Sequence, residues 1–460
     1  MTQKRVAIIG AGASGLISTK ICLEDGLDAT CFEMTSDIGG LWNYSSSLIH
    51  KKGSVMKSTI INSSKENMAF SDFPAPKKFS NFMHNKKLLE YFHLYANNFN
   101  LFAHIKFNTV IKSIVQAENY EKTGQWTITY KEQDNDEKVE AFDGVMMCIG
   151  HHANPNKPEF KGLNDKNAKF KGEYIHSWEY RDPFKYVDKR ILIIGVGNSG
   201  GDIAVEQSRI SSQVYLSTRS GFICNPRNAQ GGMPSDITFL NRFFVSINQL
   251  FPNLIKSHME NEVNRWFDHE LYAIKPNDER MHHIFVNDDI PNRIASGTLI
   301  IKPNIKEFTE NSCIFDDDSV VNNIDVVILS TGYNIGFPIL GDKIIPVDKN
   351  WVRLYKYVFP SNLKHPTLAV MGCIQPFGSI NPIVEMQARW VTRVFKGLSK
   401  LPSKDEMESD IDNKANNVKK RFYESQRHTI QVDFIPYMDE LANLVGCKPN
   451  LGKNKSTVLF

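Results

Sequence analysis

The sequence predicts an α/β protein with two doubly wound parallel sheets, on three observations. A short apolar run near the N-terminus ends in a glycine-rich turn, the same unit returns near residue 190, and a helical pattern follows each turn at once.

The first unit begins at Lys4. Val6-Ala7-Ile8-Ile9 is an unbroken apolar run, as in a parallel strand covered on both faces, and it stops at Gly10-Ala11-Gly12-Ala13-Ser14-Gly15. Leu16, Ile17, Ile21 and Leu23 give the following helix its apolar face, Gly26 ends it, and Ala29-Thr30-Cys31-Phe32 forms the next strand before Glu33. In a Rossmann-like unit Gly10 permits the tight turn, Gly12 lets a pyrophosphate approach the backbone, and Gly15 lets helix and strand pack closely. The turn, with Ala11, Ala13 and Ser14, offers N–H groups to phosphates at the positive end of the helix dipole. Glu33 lies about 20 residues beyond the turn, where an acid accepts hydrogen bonds from both ribose hydroxyls. A carboxylate there suits FAD or NAD and repels an adenosine 2′-phosphate.

The second unit runs from Arg190-Ile191-Leu192-Ile193-Ile194 into Gly195-Val196-Gly197-Asn198-Ser199-Gly200, then a helix carrying Asp202, Ile203, Ala204 and Val205, then the strand Val214 to Thr218. The selecting position now holds Arg219, beside Ser220. A guanidinium and a hydroxyl are what a 2′-phosphate requires, so this site is expected to take NADPH; the plain alternative is a solvated loop arginine. Candidate contacts are Gly195, Gly197, Asn198, Ser199, Gly200, Asp202, Arg219 and Ser220.

Two further apolar runs ending in glycine, Phe142 to Gly150 and Ile324 to Gly332, stand on either side of the second unit. They suggest two crossings between domains, with the second nucleotide domain inserted in the first. The expected division is 1–155 and 330–460 for an FAD domain and 156–329 for an NADPH domain. The stretch from 221 to 300, with Trp266, His269, His282 and His283, shows no clear period, and its histidines are at base rate surface or core residues. The run from Lys404 to Lys420 reads as a solvated helix.

Composition bounds the rest. The chain has 460 residues, 41% apolar and 23% charged, which suits a folded globular protein of two domains. A formal charge of +3 gives no reason to propose nucleic acid as a partner. The seven cysteines are scattered, with no CxxC pair and no zinc-like cluster, so no metal is expected and the thiols read as mostly buried. The first strand starts too early to leave room for a signal peptide, and no window approaches the ~20 apolar residues of a membrane helix. A soluble protein is expected, cytoplasmic, or secreted if a leader has been removed. The sequence is silent on oligomeric state, and a homo-oligomer stays open.

Phe170-Lys171-Gly172-Glu173-Tyr174-Ile175-His176-Ser177-Trp178-Glu179-Tyr180 fits FxGxxxHxxx[YF] and resembles the identifying motif of the flavin-containing monooxygenases. The likeness covers nearly the whole chain. Gly39-Gly40-Leu41-Trp42 resembles the family's second FAD contact, Asn62-Ser63-Ser64-Lys65-Glu66 its active-site segment, and Ser330-Thr331-Gly332-Tyr333 its late turn. Tyr180-Arg181 stands where Baeyer–Villiger relatives usually carry Trp-Pro or Trp-Asp, which favours the branch acting on nitrogen and sulfur. The chain lacks the apolar tail of mammalian members and resembles most the shorter soluble forms, insect enzymes that N-oxidise alkaloids among them.

The resemblance implies that NADPH reduces FAD, that O2 adds at flavin C4a, and that the hydroperoxide passes one oxygen to a small nucleophilic substrate, giving an N-oxide or S-oxide. It assigns Gly40, Leu41, Trp42, Asn62, Ser63, Thr331 and Gly332 to the cofactor sites, and Asn62 to catalysis. By chemistry the Asn62 amide is a neutral donor and acceptor that holds a peroxide without acidifying it; the alternative is a turn asparagine. His176 is expected to position the link between domains, and Tyr333 and Gln387 are candidates to line the flavin or substrate space. Rival readings are an amine-specific N-hydroxylase, a Baeyer–Villiger enzyme, and a flavin-binding redox sensor without oxygenase activity.

Overall fold

The computed structural model describes residues 3–48, 52–133, 135–276, 285–341, 344–423 and 425–449; His282 and His283 lie outside them. The first glycine unit is strand β1 (Arg5–Ile9), helix α1 (Ala13–Glu24) and strand β2 (Asp28–Phe32). With β3 (Ile105–Lys106) and β4 (Gly144–Met147), and with a late strand taken up below, it builds one parallel sheet. Strand β5 (Glu173–His176) follows. The second unit is then β6 (Arg190–Ile194), α2 (Asn198–Gln207) and β7 (Gln213–Ser217), joined by β8 (Leu299–Lys302) and β9 (Val326–Leu329). Strand β10 (Leu368–Val370) returns to the first sheet.

The sheet orders are β10-β4-β1-β2-β3 and β8-β7-β6-β9-β5, and every pairing within them is parallel. Each glycine-turn strand is central, flanked by the strand after its helix and by a strand that itself runs into glycine. All strands of the second sheet lie between residues 173 and 329, and those of the first lie outside that span. Side chains alternate along β6: Ile191 and Ile193 enter one apolar cluster, Leu192 and Ile194 the other. Two covered faces are the reason the run reads as apolar without a break.

The chain passes between the sheets twice, and the two passages touch. Asn154–Pro155 pairs antiparallel with Tyr333–Asn334. Thr331 Oγ1 donates to the Asn156 carbonyl at 2.6 Å, and Asn156 N–H donates to the Gly332 carbonyl at 2.9 Å.

Outside the sheets, Lys404–Arg421 is the helix expected from its charge pattern, started by a capping box of Ser403 and Glu406. The helices of the aperiodic stretch include Arg242–Leu250 and Pro252–Trp266, with no buried residue in either. His269 is a core residue, accepting from Cys224 N–H at 3.0 Å and facing Asn264. Six cysteines are buried, and Cys447 is exposed. Among the described residues no helix is long and apolar enough to cross a membrane, and no group of three or more His, Cys, Asp or Glu residues could hold a metal.

The close crossing of turn and helix decides what each glycine turn tolerates. A Cβ on Gly15 would stand 1.8 Å from the Gly10 carbonyl oxygen, and one on Gly200 would stand 2.2 Å from that of Gly195. Gly336 meets nothing within 4 Å. We expect Gly15→Ala to destabilise the protein by about 3 kcal/mol, at the upper end of overpacking costs, and Gly336→Ala by no more than about 0.5 kcal/mol. Urea unfolding followed by flavin fluorescence checks both, and equal stability of the two variants would contradict the close-crossing account.

Candidate active site

At the first turn Gly10 has φ +101° and Gly12 faces Gly40, whose added Cβ would lie 3.0 Å from Gly12 Cα. Gly39 N–H donates to the Ala11 carbonyl at 2.9 Å, which folds the Gly40–Trp42 turn onto the glycine turn. Glu33 is buried and already receives three donors: Ala11 N–H at 2.8 Å, Thr35 N–H at 2.9 Å and Thr35 Oγ1 at 2.7 Å. A carboxylate offers about four acceptor positions. Glu33 therefore braces the turn with much of its acceptor capacity and keeps acceptor positions for a ribose.

At the second turn Gly195 has φ +100°, and an added Cβ would meet the Ser330 carbonyl oxygen at 2.6 Å. The late turn therefore closes directly on the second glycine turn. Arg219 and Ser199 are exposed at this end, and Asn198 Oδ1 accepts from Val286 N–H at 3.4 Å. Asp202 is turned toward Asn287, whose Nδ2 donates to it at 3.0 Å. Burial pushes the Asp202 carboxyl up to about 7, against the pull of Arg227 and Asn287.

The Phe170 to Tyr180 motif fastens these parts together. An added Cβ on Gly172 would meet the Asp325 carbonyl oxygen at 2.7 Å. His176 is fully buried; its Nδ1 accepts from Trp178 N–H at 3.0 Å, and its Nε2 faces the Gly332 carbonyl at 3.1 Å. These partners suit a neutral ring protonated on Nε2, and burial lowers its pKa to about 4. His176 thus ties the motif to the late turn. Tyr180 Oη donates to Glu206 and accepts from Gln207, both at 2.6 Å, which anchors the end of α2.

Asn62 lies in a bend held on one side by Ile61 N–H to the Met83 carbonyl at 2.9 Å. On the other side Arg227 Nη2 donates to Asn62 Oδ1 at 2.8 Å, and Asp236 Oδ2 accepts from Ser64 N–H at 2.7 Å. Arg227 is itself locked to Asp288 through its side chain at 2.6 Å and its backbone N–H at 2.8 Å. The amide oxygen of Asn62 is therefore occupied, and its NH2 group is the part left to donate. Neither Arg227 nor Asp236 is foreseeable from a local motif.

Other polar groups gather at the junction of the two passages. Gly53 packs against Leu41, the His152 carbonyl and the Trp178 indole, whose Nε1–H, like His151 Nδ1, is buried with no hydrogen-bond partner among the described residues. Burial lowers the His151 pKa to about 4, and its ring packs tilted against that of His152 with centroids 4.2 Å apart. Tyr333 packs edge-on against His152 and His176. Gln387 is fully buried, accepting from Gly372 N–H at 2.9 Å and donating to Tyr437 at 3.0 Å. The groups present fit two dinucleotides: glycine cradles that a Cβ would fill, helix N-termini at both, an acid beside one and an arginine beside the other.

Two nucleotide turns opening on one junction define a flavoprotein oxidoreductase of the two-dinucleotide type. The chain belongs to the flavin-binding monooxygenase-like family, whose model matches residues 3–455. It is an NADPH-dependent monooxygenase that uses FAD and acts on a small molecule with O2. It is 48% identical to flavin-containing monooxygenase 5 of Rattus norvegicus over 455 residues, 98% of this chain and 84% of that one. Identity to the N-oxide-forming dimethylaniline monooxygenase 2 of Oryctolagus cuniculus is 46% over 452 residues, 97% of this chain and 84% of that one. Among solved structures, the S-allyl-L-cysteine S-oxygenase of Allium sativum superposes with a TM-score of 0.73 at 25% identity, over 97% of this chain and 89% of that one. An open form of cyclohexanone monooxygenase shares the fold, with a TM-score of 0.66 at 15% identity over 97% of this chain and 98% of that one.

The raised Asp202 pKa has a definite sign. The folded state holds the proton up to about pH 7, whereas the unfolded chain releases it near 3.8, so stability falls as pH climbs between these values. Asp202→Asn removes that loss. Its stability advantage over the parent is expected to grow from pH 5 to pH 7 and level off above, in urea titrations at each pH; an advantage independent of pH would contradict the assignment.

Proposed function

We propose that the enzyme transfers one oxygen atom of O2 to a nucleophilic nitrogen or sulfur, with FAD on the Gly10–Gly15 turn, NADPH on the Gly195–Gly200 turn, and Asn62 as the catalytic residue between them. The corresponding domain division is 1–155 with 330–460, and 156–329. Glu33 faces the FAD ribose, and Arg219 with Ser220 faces the 2′-phosphate. Bound FAD, reduced by NADPH, supplies the electrons that activate O2.

The observation that carries this reading is the state of Asn62. Its oxygen is held by Arg227, so its NH2 points as a fixed neutral donor and its orientation is not free to invert. Two acids beside this contact are engaged by other groups: Asp288 by Arg227, and Asp236 by the N–H groups of Ser64 and Ile237. A neutral donor steadies an oxygen species without handing it a proton, which is what oxygen transfer requires and what release of H2O2 does not. The names of the relatives point the same way, one forming an N-oxide and one oxygenating sulfur.

The test supplies NADPH and 18O2 with a thioether, a tertiary amine and a ketone in parallel. One 18O atom is expected in the sulfoxide and the N-oxide. Asn62→Ala is expected to keep FAD and NADPH oxidation while at least about tenfold more of the reducing equivalents leave as H2O2, in line with the 10²- to 10³-fold effect of losing one such donor. Labelled ester from the ketone alone would overturn the nitrogen and sulfur reading, and unchanged coupling in Asn62→Ala would remove Asn62 from the mechanism.

A further inference from the structure

The second glycine turn carries a cation that comes from far along the chain. Arg427 Nη1 donates to the Val196 carbonyl at 3.2 Å, and a Cβ on Gly197 would lie 2.8 Å from the same nitrogen. The guanidinium therefore lies across Gly197, at the start of α2. Its segment is built to put it there. Asn350, itself buried, donates to the Gln426 carbonyl at 3.3 Å and to the Tyr333 carbonyl at 2.8 Å, and Gln375 N–H donates to the Ile430 carbonyl at 2.8 Å. These contacts fix residues 426–430 to the first sheet's side of the molecule and to the late turn.

The charge at this place is unfavourable by itself. Arg427 makes no ion pair among the described residues, and burial pulls its pKa down to about 10. It stands at the N-terminal, positive end of a ten-residue helix, where the dipole disfavours a cation and favours an anion. A guanidinium whose only acceptor among the described residues is one carbonyl, set beside N–H groups that also seek negative charge, is half of an anion site.

We propose that Arg427 is a ligand of the NADPH diphosphate, leaving the Val196 carbonyl to pair with it when the dinucleotide binds. This rests on the assignment of NADPH to the Gly195–Gly200 turn. It gives the last part of the chain a direct hold on the second nucleotide and makes the site composite. The adenosine end is selected by Arg219 on the second sheet, and the diphosphate is held partly from the other side of the junction. Binding of NADPH then draws the two sides together through Arg427, while the same arginine without an anion is a cost to the folded protein.

The FAD-loaded full chain is titrated calorimetrically with NADP+ and, by displacement, with adenosine 2′-phosphate, which carries no diphosphate. For Arg427→Met, NADP+ is expected to bind about 10- to 100-fold more weakly, the range of a lost charge-assisted bond, and adenosine 2′-phosphate within twofold of the parent. Arg219→Ala is expected to weaken both. Without nucleotide, Arg427→Met should melt at or above the parent's temperature, and the rise in melting temperature on adding NADP+ should shrink. Arg427→Lys should fall between parent and Met variant in NADP+ affinity. Unchanged NADP+ affinity in Arg427→Met, with a lower melting temperature, would make Arg427 a structural strut and overturn the proposal while leaving the NADPH site intact. Unchanged affinity in both Arg427→Met and Arg219→Ala would overturn the NADPH assignment itself.

Discussion

The hydrogen bond from Arg227 to Asn62 is the contact on which the candidate site depends. It joins residues 165 positions apart, one on the segment between β2 and β3 and one beyond the second glycine unit. Its strength comes from what holds Arg227. Asp288 grips both the guanidinium and the backbone N–H, and the side chain is only 10% exposed, so the arginine reaches Asn62 already ordered. A charged donor on a neutral amide oxygen is worth about 1.5–3 kcal/mol where water is excluded. That suffices to fix which end of the amide Arg227 holds, a choice the sequence of Asn62 and its neighbours leaves open.

Around that contact the molecule repeats one solution to nucleotide binding and then varies it. Both turns close by setting a glycine against a carbonyl oxygen, and both central strands are buried on two faces. The variation lies at the edges. The first turn is braced by Glu33, which spends most of its acceptor capacity on Ala11 and Thr35. The second has no such acid and is braced by the late turn, through Ser330 and the ties of Gly332 to His176 and Asn156. The identifying motif acquires a physical meaning here: its glycine, histidine and tyrosine each lock a passage between the sheets to the second sheet or its helix.

Much of this was legible in the sequence because it is local. A buried strand, a glycine turn and a helix start follow one another within about 20 residues, and each leaves a pattern in composition or spacing. Asn62 was legible only through resemblance, since Asn-Ser-Ser is also an ordinary turn. Arg227, Asp236 and Arg427 left no signal, because they act at sites assembled from distant segments, and a lone arginine looks the same in solvent as in a cradle. The partners of Asp202 and Gln387 are equally remote in the chain: Asn287 donates to the first, and Gly372 and Tyr437 hold the second. The helices between 242 and 266 were obscure for a plain reason: the one-sided apolar face of Arg242–Leu250 spans only 9 residues, and Pro252 opens the next helix almost at once.

The claim that Asn62 works through an orientation set by Arg227 is tested most directly by a double-mutant cycle read as oxygenated product per NADPH oxidised. Asn62→Ala, Arg227→Met and the double variant would be compared with the parent under the same O2 and thioether concentrations. If Arg227 acts by holding Asn62, the double variant couples no worse than Asn62→Ala alone, because the partner of the lost bond is already gone. Losses that multiply, or full coupling in Arg227→Met, would contradict it.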